Sequence, residues 1–273
     1  MQKLQVNCFK KIHTQYREEK DFMSSINRYV GYDPIARLYN EDWAPSLAEK
    51  ALLCTEKLFL PYLPNGAHIL DLGCGTGQLT KQLLIKGYKV TALDGSEAML
   101  HYAQENATGG EFILGDARSF EMPSTFDGVV SATCVLNYVM NIEELTVVFH
   151  NIYKALLPNG IFIFDLDTEE QYKYFLEGSL SGNIKDEFAW AALRTYDPED
   201  KTSQVKFTIF SLLSNNQWQR FDHSVIEKCY SKEDVISALS SVGFIEINLF
   251  DAERDFGRNG EAGTTYFVCR KSE

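Results

Sequence analysis

The chain has no run of basic residues, no closely paired cysteines, no long apolar stretch and no internal repeat or low-complexity segment. Each absence excludes a class of function. The 26 Lys and Arg residues are scattered against 38 Asp and Glu, leaving a net charge of −12. An acidic surface repels phosphate backbones, so no nucleic-acid partner is expected. The six cysteines, at 8, 54, 74, 134, 229 and 269, never approach a CxxC spacing. Neither a disulfide framework nor a zinc site is expected from them, only free thiols in a reducing cytoplasm. No segment nears the roughly 18 apolar residues that cross a bilayer. The opening MQKLQVNCFKKIHTQYREEK is polar, with no signal-peptide core. A cytoplasmic protein with no membrane partner is the expectation.

The chain does contain ample core material, 45% hydrophobic residues in a length of 273. Residues 1–30 are polar, with Phe22, Ile26 and Tyr29 spaced to line one face of an N-terminal helical extension. From Ala67 apolar runs alternate with amphipathic stretches. AHILDLG ends in a glycine cluster; Leu79, Leu83 and Leu84 mark a helix; YKVTALD, EFILGD, FDGVVSA and GIFIFDLD read as strands. Leu145, Val148, Phe149, Ile152 and Leu156 share a helix face, and Pro158-Asn159-Gly160 bounds the last of these strands. Unbroken apolar strands separated by helices signal a parallel sheet covered on both faces.

After Asp167 the pattern changes. Residues 188–196, 204–213 and 217–229 read as strands, with Val205, Phe207 and Ile209 alternating with Lys206 and Thr208. Ser231 caps a helix carrying Val235, Leu239 and Val242 and ended by Gly243; FIEINLF and TTYFVC close the chain as strands. The expected organisation is one α/β domain over 31–167 and 231–273, with 168–230 inserted as antiparallel β structure. That insertion would cover a substrate or pair two copies as a homodimer.

The chemistry sits in Asp71-Leu72-Gly73-Cys74-Gly75-Thr76-Gly77. Glycines between a strand and a helix let a ligand approach main-chain N–H groups closely. Asp94 ends the next strand, where a carboxylate can accept both hydroxyls of an adenosine ribose. A dinucleotide loop usually reads G-x-G-x-x-G and holds a pyrophosphate on the helix N-terminus. Here the spacing is G-x-G-x-G, and Asp71 would repel a pyrophosphate but suit a cationic amino-acid ligand. A nicotinamide oxidoreductase, a non-catalytic cofactor-binding module and a macromolecule methyltransferase stay open as rival readings.

DLGCGTG resembles the first motif of class I S-adenosylmethionine-dependent methyltransferases, LDGSEAML their second and Gly115-Asp116-Ala117 their third. The resemblance implies a Rossmann-like seven-stranded, mostly parallel sheet of order 3-2-1-4-5-7-6, S-adenosyl-L-methionine as cofactor, and methylation of N or O of a small-molecule acceptor. It implies that Gly73, Gly75 and Gly77 line the methionine side, with Asp71 near the amino group. Asp94 would hold the ribose, Asp116 and Ala117 the adenine, and Cys134 would come near the sulfonium; Cys74, Gly95 and Met99 complete the expected cofactor-binding set. The segment from Tyr32 to Tyr39 resembles the aromatic lid of small-molecule members, and Trp43 would extend it. Candidates for handling the acceptor are His223 and Tyr138 as catalytic residues, then Asn137, Asp165, Asp167, Trp218 and Arg220. The insertion also resembles that of some small-molecule N-methyltransferases, although CVLNYVMN lacks the His that amino-sugar enzymes often carry there.

Overall fold

A computed structural model describes residues 32–273; the helical stretch expected within 1–30 lies outside the described residues. The strands are β1 His68–Leu72, β2 Lys89–Asp94, β3 Glu111–Leu114, β4 Phe126–Ser131, β5 Leu156–Asp167, β6 Ser179–Ile184, β7 Phe188–Asp197, β8 Thr202–Leu212, β9 Trp218–Lys228, β10 Phe244–Asp251 and β11 Thr264–Lys271. The long helices are α1 Ala44–Leu58, α2 Gln78–Ile85, α3 Glu97–Asn106, α4 Ile142–Ala155 and α5 Lys232–Val242.

Seven strands form one sheet in the order β10-β11-β5-β4-β1-β2-β3, parallel except where β11 joins its neighbours. Counting only these strands, the order is the expected 3-2-1-4-5-7-6. The strands read as unbroken apolar runs because both faces are covered. Leu70, Leu72, Phe162 and Phe164 pack under α4 and α5 through Leu145, Phe149, Val235 and Leu239. Their chain neighbours Ile69, Ile161 and Ile163 pack on the opposite side with Ala51, Leu58, Leu79 and Leu83. Two boundaries differ from expectation. The α4 helix stops at Ala155, and Leu156, though buried, already begins β5. That strand runs through Pro158-Asn159-Gly160, with Asn159 at a left-handed φ of 63° and a register irregularity against β4.

The helix signals act as their chemistry requires. The Ser231 side chain accepts from the Asp234 N–H, and Gly243 ends α5 at φ 111°.

A second sheet, β6-β7-β8-β9, is wholly antiparallel. It has four strands where three were expected. The extra one, β6, is exposed at every position, so no burial alternation marks it in the sequence. In the other strands the alternation is clear. Trp190, Val205, Phe207, Ile209 and Val225 turn inward and pack with Ile35, Leu38 and Met99.

Asn137, in the turn after β4, joins the two sheets. Its amide nitrogen donates to the Asp167 carbonyl (3.0 Å) and the Lys228 carbonyl (2.8 Å), and its oxygen accepts from the Asp167 N–H (3.0 Å). The side chain is fully buried. Replacing it by Ala strands these main-chain groups away from water, at about 1–3 kcal/mol each before relaxation. Asn137→Ala should therefore lower unfolding free energy by about 3 kcal/mol in urea titrations, whereas Ser231→Ala should cost about 1 kcal/mol.

Candidate active site

Ligands of open α/β sheets bind beyond the carboxyl ends of the strands. A cavity of about 1000 Å³ lies there, walled by the turns after β1, β2, β3 and β4, the end of β5 and residues of the antiparallel sheet. Tyr32, Ile35, Tyr39 and Trp43, from the segment preceding α1, also line it.

The glycine turn forms the floor. Gly73 and Cys74 donate their N–H groups to the Leu93 carbonyl, and Gly75 donates to Asp94 Oδ2 at 2.8 Å. Gly75 has φ 54°, and a Cβ there would stand 3.1 Å from the Tyr39 ring, in the space the cavity needs. Gly77, φ 81°, has another reason: a Cβ would come within 2.9 Å of the Ala103 backbone in α3. Asp94 Oδ1 accepts from the Ser96 N–H, so the carboxylate is fixed by two main-chain donors while still facing the cavity. Burial raises its pKa.

The turn after β4 is strained. Thr133 and Cys134 both have left-handed φ values, 68° and 60°. Such conformations cost about 1–3 kcal/mol each and cluster at functional sites. Asp165 holds the turn by accepting the Cys134 N–H at 3.1 Å, and the Tyr39 hydroxyl lies 3.4 Å from Thr133 Oγ1.

The expected site residues divide in two. Tyr32, Tyr39, Gly73, Gly75, Asp94, Gly95, Met99, Ala117, Cys134, Tyr138 and His223 all stand in the cavity wall. Asp71, Cys74, Gly77 and Asp116 stand behind it. Asp71 is 2% exposed and accepts the Thr80 hydroxyl at 2.5 Å, bracing the glycine turn from below. Asp116 accepts from the Arg118 guanidinium, and it is Arg118 that reaches the wall. Asn137, a candidate for the acceptor, has its amide committed to the sheet clamp. Trp218 and Arg220 pair with Leu212 and Phe210 on the outer face of the antiparallel sheet, so neither reaches the cavity.

His223 lies opposite Phe207 on the inner face. Its Nε2 is buried without a hydrogen-bond partner among the described residues, and burial lowers its pKa, keeping it neutral at pH 7. Tyr138 donates to Glu227 Oε1 at 3.0 Å, and burial raises its pKa, so it is a donor and not a base. Sequence reasoning passed over Glu227 and Arg194, which share a 3.1 Å ion pair in the wall. Their inward parity in β9 and β7 was the available signal.

The segment from Tyr32 to Trp43 is pinned at both ends. Asp33 accepts from the Ser96 hydroxyl (2.6 Å) and the Ala98 N–H (3.2 Å). Asp42 accepts from Trp190 Nε1 at 2.5 Å and pairs with Lys185 at 2.5 Å. Trp43 meets Trp190 edge to face.

Comparison with known proteins agrees with this geometry. Residues 69–160 match the methyltransferase domain family. YqeM of Bacillus subtilis (strain 168), provisionally named a methyltransferase, is 27% identical over 218 residues, 77% of this chain and 87% of its own. A dTDP-4-amino-2,3,4,6-tetradeoxy-D-glucose N,N-dimethyltransferase of Saccharopolyspora spinosa is 24% identical over 219 residues, 78% of this chain and 83% of its own. Among solved structures, an S-adenosylmethionine-dependent methyltransferase from Clostridium acetobutylicum ATCC 824 superposes with a TM-score of 0.72 at 21% identity, over 89% of this chain and 99% of that one. The chain carries a methyltransferase domain and has the fold of S-adenosylmethionine-dependent methyltransferases. To that fold it adds a separate four-stranded antiparallel sheet over the cleft.

Burial pushes the Asp71 carboxyl up to about 7, against the Thr80 hydroxyl, which lowers it. Between about pH 4 and 7 the folded protein then keeps a proton that the unfolded chain has shed, so stability falls as pH rises through that window. Urea titrations at pH 5 and pH 7 should show this fall, and Asp71→Asn should reduce it, leaving the part that Asp165, also raised by burial, contributes.

Proposed function

We propose that this protein binds S-adenosyl-L-methionine in the cavity and transfers its methyl group to a nitrogen or oxygen of a small molecule. The observation that carries the reading is the cavity itself, with the glycine turn and Asp94 at one end and side chains of the antiparallel sheet at the other. The residues present fit the cofactor. Gly75 leaves room where a Cβ would close on Tyr39. Asp94 is held with its carboxylate toward the cavity, placed to accept ribose hydroxyls. Asp165, 2% exposed in the wall with its carboxyl pushed up to about 6 by burial, is a carboxylate that a cationic ligand would favour. Gly73 would lie along the methionine part, and Ala117 along the adenine.

When bound, the cofactor supplies a methyl group on a sulfonium, already a good electrophile. The protein's share is to orient, to exclude water and to receive a proton. Tyr32, Tyr39 and Trp43 cover the cleft, and the inner face of β8 and β9 closes the far side. Neutral His223, with Nε2 free of other bonds, is placed to take a proton or hold an acceptor. The chain's acidic charge favours a metabolite over a nucleic acid, and the amino-sugar relative supports nitrogen as the attacked atom. No helix among the described residues is long and apolar enough to cross a membrane. A cytoplasmic setting is part of the proposal, supported by five unbridged cysteines among the described residues.

Pairing of two copies through the antiparallel sheet also belongs to this reading. Its outer face leaves Leu180 and Ile184 74% and 84% exposed. A dimeric mass by light scattering is expected, and a monomeric one removes the idea.

Calorimetric titration with S-adenosylhomocysteine, beside NADH, tests the main proposal. S-adenosylhomocysteine alone should bind, and Asp94→Ala should weaken it at least about tenfold, the scale of charged hydrogen bonds. Binding of NADH alone would return the loop to the dehydrogenases.

A further inference from the structure

The far end of the cavity holds more carboxylate than its cations balance. Asp167 and Glu227 stand in the wall, 9% and 3% exposed. One guanidinium serves both. Arg194 Nη2 lies 3.1 Å from Glu227 Oε1, and its Nη1 lies 3.9 Å from Asp167 Oδ2. The other partners are neutral hydroxyls: Tyr138 to Glu227 Oε1 (3.0 Å), Tyr172 to Oε2 (3.2 Å) and Thr264 to Asp167 Oδ1 (2.6 Å). A carboxylate oxygen accepts about two hydrogen bonds. Oε1 is therefore filled, while Oε2 and Asp167 Oδ2 keep open positions.

Four more polar atoms in the same wall are buried without a partner among the described residues: the acceptor Gln171 Oε1, the ring nitrogen His223 Nε2, and two donors, the Tyr32 hydroxyl and Arg258 Nε. An unmet buried acceptor costs about 1–3 kcal/mol. At Glu227, Asp167 and Gln171, then, three oxygens have room for a donor, and one guanidinium answers the two carboxylates. A hydroxyl acceptor would bring one donor and no charge, whereas an ammonium brings up to three donors and one charge. The deficit also sits beside the strained turn, since Asp167 and Glu227 both act electrostatically on the Cys134 thiol. Asp94 and Asp165 are left out of this balance, remaining for the methyl donor.

We propose that the methyl acceptor is an amine, bound as its ammonium by Glu227, Asp167 and Gln171, and that Glu227 Oε2 takes the proton the nitrogen must lose before it attacks. In that step an N–H bond breaks, its electron pair stays on nitrogen as the nucleophilic lone pair, and an O–H bond forms on the carboxylate. Burial raises the Glu227 pKa, as does Asp167, while Arg194 and the two tyrosine hydroxyls lower it. The inference rests on the methyl-transfer reading for its chemistry, but its binding half can be measured without turnover.

The test is ligand-observed NMR on the full chain saturated with S-adenosylhomocysteine, using cyclohexylamine and cyclohexanol as matched probes. The amine should bind at least tenfold more tightly than the alcohol. Glu227→Gln should bring the two within about twofold while S-adenosylhomocysteine affinity stays as in the parent, a factor of ten being about 1.4 kcal/mol. Equal binding of the two probes, binding of neither, or a preference that survives Glu227→Gln overturns the proposal. Should that variant fail to fold, Tyr138→Phe keeps the carboxylate but removes a hydroxyl that favours its ionised form. Amine binding should then fade at a higher pH on acidification, and an unmoved profile overturns the proposal. If S-adenosylhomocysteine itself does not bind, the donor reading fails, and the same probe comparison on the unloaded protein still decides this one.

Discussion

Everything that surrounds the cavity depends on one buried amide. Asn137 spends both N–H donors of its amide, and its oxygen, between the end of β5 and the end of β9, so the two sheets are held at a fixed separation. Hydrophobic contact alone would let the antiparallel sheet slide, because apolar packing has no direction. The amide supplies direction. It places Glu227, one residue from Lys228, against Tyr138, one residue from Asn137. The ion pair with Arg194 then follows from strand register, since Glu227 stands opposite Ser203 in β8, and Tyr196 and Arg194 lie along the same inward row of β7.

The buried carboxylates carry a cost. Asp71, Asp94, Asp165 and Glu227 all have pKa values raised by burial, which means that ionising any of them in place costs free energy. Structural ion pairs normally shift carboxylates the other way, as Asp42 and the exposed Asp255 illustrate. Groups shifted against their own ionisation, gathered in a cleft, mark a functional site. The chain's excess of acids therefore has two meanings: on the surface it discourages nucleic acid, and in the cleft it sets the charge of what can bind.

Much of this was legible in the sequence, for reasons that differ by residue. The strand order could be read through the family resemblance, and the Ser231 and Gly243 caps because they rest on local turn chemistry. Gly75 and Asp94 could be read because a strand, a glycine turn and an acid recur at fixed spacing. Asp71 shares that motif, yet its side chain turns down to Thr80, and no spacing tells which way a carboxylate at a strand end will point. Strand β6 escaped notice because an edge strand wet on both faces leaves no alternation. Asn137, Arg194 and Glu227 gain their roles from partners 30 to 91 residues distant in the chain, and that information arises only when the sheets dock.

The strap from Tyr32 to Trp43 has a consequence for how the cavity wall is held. Its two aspartates anchor it to different halves of the molecule, Asp33 to the start of α3 and Asp42 to β7 and Lys185. Because Tyr32, Tyr39 and Trp43 stand in the wall, one short piece of chain ties the glycine-turn side of the cavity to the antiparallel sheet, and a displacement at either anchor reshapes the surface that an occupant meets.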